Sequence, residues 1–88
     1  MRRSLSEQDN FLLSLGEVIH ELRVNRGLSQ LELADLAGVH RTYVSDIERG
    51  ARNLTVSTVS RIAMALDVTP SRLFRLVDDR VDELRAKT

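Results

Sequence analysis

The chain has 88 residues, 13 basic and 13 acidic, and no cysteine. Its zero formal charge argues against a generic polybasic coat for nucleic acid, and without thiols there is no disulfide framework or thiolate metal site. No apolar run approaches the roughly 18 residues of a membrane span, and no signal-peptide apolar stretch separates Arg2 and Arg3 from the first acids, so a soluble cytoplasmic protein is expected.

Phe11, Leu12, Leu15, Ile19 and Leu22 recur at helical spacing and predict a first helix to about residue 26. Asp9 or Asn10 is its candidate cap and Gly27 its stop. Ser29 with Glu32 three residues on is a capping-box pattern, opening a short second helix over about 30–37 that buries Leu33, Ala34 and Ala37. Gly38 suits the sharp turn that follows. A third helix is predicted from about Arg41 to Arg49, with only Val44 and Ile47 as strong apolar anchors. Thr55 caps a fourth, striped by Val56, Val59, Ile62, Ala63 and Leu66. Thr69 and Pro70 read as a cap and first residue of a fifth. Leu73, Phe74, Leu76, Val77, Val81 and Leu84 continue a helical pattern. No strand alternation or hairpin turn is present. The expectation is all-α: one compact five-helix domain over residues 1–88, with a core at about 11–76 and a C-terminal helix or tail from 77.

A helix as short as the third cannot hold itself together in water. It must lean on its neighbours through Val44 and Ile47, which turns Arg41, Thr42, Ser45, Asp46 and Arg49 outward. Two short helices joined by a glycine turn make a helix-turn-helix, whose second helix enters the DNA major groove. Charge agrees locally: residues 40–61 carry four arginines against Asp46 and Glu48. Twelve of the 13 basic residues are arginine, whose planar fork suits phosphate and guanine, although genomic composition accounts for the bias equally well.

Gly27-Leu28-Ser29-Gln30, Ala34, Gly38-Val39, Val44 and Ile47-Glu48-Arg49-Gly50 together resemble the phage-repressor type of helix-turn-helix domain, the xenobiotic-response-element family, over about residues 11–76. A narrower resemblance, in FLLSLGEVI and RTYVSDIERGARNLT, is to the dimeric controller proteins of restriction–modification systems. The resemblance implies a lambda-repressor-like fold and binding of double-stranded DNA. Gln30 would bond a phosphate. Arg41 and Thr42 hold the main base-reading positions, Arg41 on guanine or on phosphate, Thr42 on a thymine methyl or a backbone oxygen. Ser45 and Asp46 lie one turn on; Asp46 either accepts from a cytosine amine or orients Arg41, Thr42 or Arg49. Tyr43 would place its hydroxyl on the backbone or simply pack. Arg49, Arg52, Asn53, Thr55 and Thr58 would grip the same backbone, and His40 would cap the third helix, touch phosphate or do neither. Such contacts set register rather than sequence. Arg23 and Glu48 would form a structural ion pair.

One reading helix covers too few base pairs to single out a genomic site, so a homodimer on a palindrome is expected, paired through Phe74, Leu76 and Val77, while Leu66, Val68 and Leu73 close the core. Neither a nucleophile motif nor a phosphate loop points to an enzyme. His20 and His40 lack zinc-site spacing, with His20 read as an ordinary surface residue. No metal, cofactor or small-molecule ligand is implied. An antitoxin or protein-interaction module of the same fold is the alternative reading.

Overall fold

A computed structural model describes the backbone of residues 5–87 and the side chains of residues 10–86. Five helices and no strand occur among them: α1 (Leu5–Asn25), α2 (Gln30–Ala37), α3 (Arg41–Glu48), α4 (Val56–Ala65) and α5 (Pro70–Lys87). The core is Leu15, Val18 and Ile19 of α1, Leu33, Ala34 and Ala37 of α2, Val44 and Ile47 of α3, Val59, Ile62 and Ala63 of α4, Leu66, and Leu73 and Val77 of α5. Helix α1 packs against both α3 and α5, while α2 packs against α3 and α4.

Local chemistry fixes most boundaries. Ser29 Oγ accepts from the Glu32 amide at 3.0 Å, and the Glu32 carboxylate accepts from the Ser29 amide at 2.9 Å. These two bonds satisfy otherwise orphaned donors at the start of α2. They also hold the Glu32 carboxyl below the usual range, the backbone bond contributing most. Gly38 ends α2 at φ 71°, and Val39 N–H donates back to Ala34 O at 3.0 Å. Three residues, Gly38 to His40, therefore turn the chain into α3. Thr69 Oγ1 accepts from the Arg72 amide at 3.1 Å and opens α5.

Three expectations need correction here. Helix α1 starts at Leu5, so Asp9 and Asn10 lie inside it rather than at its cap. Val56 is 88% exposed, because the apolar stripe of α4 overshoots the core at its first residue. Val77 is fully buried: it follows Leu73 by four residues on the face of α5 that closes the core, so it is not available as a dimer contact. The C-terminal segment left open as helix or tail is helical to Lys87; Thr88 lies outside the described residues.

Candidate nucleic-acid interface

Two apolar anchors decide which way α3 faces. Val44 and Ile47 are 0% and 2% exposed. A helix rolled about those anchors turns Arg41 and Thr42 to solvent, with Ser45 and Asp46 half-buried beside them. Gly16 of α1 makes the seating close. A Cβ there would lie 2.4 Å from the Ile47 carbonyl oxygen and 2.7 Å from that of Glu48, so only glycine lets α1 touch the end of α3.

Glu48 locks this arrangement. Its carboxylate accepts from Arg23 Nε at 2.6 Å, Arg23 Nη2 at 3.1 Å, His20 Nδ1 at 2.9 Å and Gln30 Nε2 at 3.1 Å. The Glu48 side chain is 6% exposed and that of Arg23 11%. Arg23 Nη1 also donates to Leu28 O at 2.8 Å. Burial pushes the Glu48 carboxyl up, but the hydrogen bonds from Arg23, His20 and Gln30 outweigh it and leave it below the ordinary carboxylate range. Its hydrogen bond to Glu48 raises the Arg23 guanidinium in turn. His20 is on the surface as expected, its side chain 54% exposed, but it also belongs to a cluster joining α1, α2 and α3. Its link to Glu48 spans 28 residues, a separation helical periodicity cannot reveal.

Around this support the expected DNA-facing residues sort into three groups. Arg41 is exposed and has no hydrogen bond or ion pair among the described residues. Thr42 and Asn53 are exposed as well. Gln30, at the first position of α2, has donated one amide proton to Glu48, leaving its carboxamide oxygen and second proton for another partner. His40 caps α3, its Nδ1 accepting from the Thr42 amide at 3.1 Å, which leaves Nε2–H as a donor of the neutral ring.

Asp46 forms the centre of the second group. Its Oδ1 accepts from Arg49 Nη2 and its Oδ2 from Arg52 Nη2 at 3.0 Å. Arg52 also lies over the Tyr43 ring, 4.6 Å from its centroid. Asp46 thereby orients arginines, and of the partners expected for it only Arg49 is found; Arg52 was not among them. The third group is Thr55 and Thr58. Thr55 Oγ1 caps α4 by accepting from the Thr58 amide at 3.1 Å. Thr58 is buried, and its hydroxyl and amide both bond Thr55, so the expectation that it grips DNA backbone is corrected: its polar atoms are used in the cap. On α5, Phe74 is 38% exposed and stacked on Phe11 at 6.2 Å, and Leu76 is partly buried.

A helix-turn-helix family model matches residues 19–73, which include α2, the turn, α3 and α4. The chain belongs to the helix-turn-helix family. Among curated members, Control protein C.BamHI of Bacillus amyloliquefaciens is 39% identical over 66 residues, 74% of this chain and 82% of that protein. Among solved structures, the restriction-modification controller protein C.AhdI from Aeromonas hydrophila is 44% identical with a TM-score of 0.70, covering 72% of this chain and 96% of that one. The controller protein C.Esp1396I, solved as a tetramer in complex with its natural 35 base-pair operator, is 30% identical with a TM-score of 0.75, covering 90% and 97%. No helix among the described residues of this family member is long and apolar enough to cross a membrane, and no group of three metal-ligating side chains gathers among them.

Proposed function

We propose that the chain is a cytoplasmic, sequence-specific transcriptional regulator that binds a palindromic operator as a homodimer and controls restriction–modification genes. The roll of α3 carries the reading. Its apolar pair faces the core, and an unpartnered Arg41 projects from its N-terminal turn, where such helices meet base edges. The controller-protein relatives support the restriction–modification context. In this reading Arg41 and Thr42 read bases, Gln30, His40, Tyr43, Arg52 and Asn53 hold the backbone, and Phe74 with Leu76 pairs the protomers. The chemistry is recognition rather than catalysis.

Selection of duplexes from a randomised pool tests this. The wild-type chain should enrich a palindrome with half-sites about one helical turn, roughly 10 base pairs, apart. Arg41→Ala should lose preference at one base pair per half-site, by ~1–3 kcal/mol for a bidentate contact to guanine. A pool left unenriched would sink the regulator reading, and unchanged preferences in Arg41→Ala would sink the base-reading role. Endonuclease and methyltransferase genes beside this one would support the restriction–modification assignment; a toxin gene there would favour an antitoxin.

A further inference from the structure

We propose that Asp46 is a specificity-determining positioning residue: by tethering Arg49 and Arg52 it stops both arginines from following the phosphates of arbitrary DNA. The inference rests on the operator-binding reading above.

The carboxylate spends one oxygen on each guanidinium. It lies beneath them, its side chain 18% exposed against 66% for Arg49 and 46% for Arg52. A bare carboxylate on the presented face of α3 would repel phosphate; a covered one leaves a patch whose formal charge is two guanidinium groups less one carboxylate. Arg52 is held a second time by the Tyr43 ring, which fixes the plane of its fork as well as its position. A guanidinium has five N–H donors, and the Asp46 bond uses one on each arginine, so both retain donors aimed in a set direction. Arg41, on the same helix, carries no such tether.

That difference separates two kinds of contact. A loose arginine swings to whatever phosphate is nearest and gains counterion release on any duplex. A tethered one meets a phosphate only where the backbone passes its fixed fork, and the backbone path depends on sequence. Tethering therefore weakens sequence-blind attraction more than operator binding. The guanidinium groups of Arg52, chiefly, and Arg49 also hold the Asp46 carboxyl below its usual range, so it remains ionised through neutral pH.

Asp46→Asn in the full chain tests the inference. Binding is measured across a potassium chloride series on two duplexes of equal length: one enriched by the wild-type protein from a randomised pool, and one of scrambled sequence. On the scrambled duplex the variant should bind about tenfold tighter, with a salt slope steeper by roughly 0.9–1.8, one or two further phosphates. On the enriched duplex the change should stay below about threefold, so that the affinity ratio falls. Arg52→Lys is the second variant, keeping the charge but losing the planar fork; its ratio should fall in the same direction. Equal shifts on both duplexes in either variant would overturn the tethering. So would an Asp46→Asn selection altered at a single base pair, which makes Asp46 a base reader. If the wild type enriches nothing, the regulator reading fails and this inference with it; an enriched site with an unchanged ratio removes the inference alone.

Discussion

Replacing Arg23 with methionine tests what holds the reading helix at its angle. The substitution removes both guanidinium bonds to Glu48 and the bond to Leu28 O, while keeping an unbranched apolar stem. Glu48, 6% exposed, is left with His20 and Gln30 alone. Stranding one member of such a pair costs about 3–5 kcal/mol. For a domain of this size each kcal/mol moves the midpoint by roughly 4–8 °C. Thermal unfolding followed by circular dichroism, at fixed protein concentration because a dimer's midpoint depends on it, should fall by at least about 12 °C. The pH dependence should also weaken. In the wild type the Glu48 carboxyl is lowered in the folded state. Its stabilisation is present above the unfolded carboxylate pKa of about 4.3 and is lost as pH falls through the folded value. Without Arg23 the largest of the hydrogen bonds opposing burial is gone, so the folded value moves up toward the unfolded one and the stability lost on acidification should shrink. Arg23→Met combined with Glu48→Leu should be more stable than Arg23→Met, since no charge remains buried. A single-variant loss below about 1 kcal/mol, the range of exposed pairs, would refute the argument, as would an unchanged pH response.

Gly16→Ala should destabilise despite the better helix propensity of alanine, worth about 1 kcal/mol. Its Cβ would collide with the carbonyl oxygens of Ile47 and Glu48, which are backbone and can yield only if α3 shifts. A net loss of about 1–3 kcal/mol is expected by urea denaturation, and a midpoint at or above wild type would show that the helices can part freely. Phe74→Asp should convert the proposed dimer to monomer in sedimentation velocity while leaving the helical spectrum intact, because the ring it removes is 38% exposed rather than in the core. A dimer that survives this change would move the pairing surface elsewhere.

Helix positions were legible where a few adjacent residues decide them. Ser29 with Glu32, Gly38, Thr55 and Thr69 each announce a boundary by hydrogen-bonding or conformational chemistry acting within four residues. The start of α1 was misplaced because Asp9 and Asn10 look like caps locally, whereas the helix continues back to Leu5. The end of α4 carries no glycine to mark it: Asp67 takes the left-handed conformation, at φ 59°, that glycine takes after α1, α2 and α3. Side-chain roles were less legible because they depend on which helix crosses which. Periodicity places Leu73, Phe74, Leu76 and Val77 on one helix but does not say which edge of that stripe α1 covers, and Val77 fell on the covered edge. The partners of Asp46 and His20 were hidden for the same reason. Arg52 reaches Asp46 from the loop after α3, and Glu48 reaches His20 from another helix. Gly16 was the one missed residue with a sequence signal, since a glycine inside a helix costs stability and invites the question of what comes close to it.

These long-range contacts converge on α1. His20 and Arg23 of that helix hold Glu48 of the reading helix, and Glu17 and Glu21, interleaved with them, bind Arg80 of α5 at 2.8 and 2.6 Å. The Arg80 pairs are more exposed than the Glu48 cluster and individually contribute little to stability. Their importance lies in geometry. In the proposed dimer, Phe74 and Leu76 of α5 pair the protomers and α3 meets DNA, so the separation of the two reading helices is set by how α5 and α3 are each fastened to α1. A buried cluster at one fastening and an arginine clamp at the other make α1 a spacer between subunit pairing and half-site spacing. The glycine at position 16 then has a functional consequence beyond packing. It brings α3 against that spacer with no side chain between, so the distance from α1 to the reading helix is fixed by direct backbone approach.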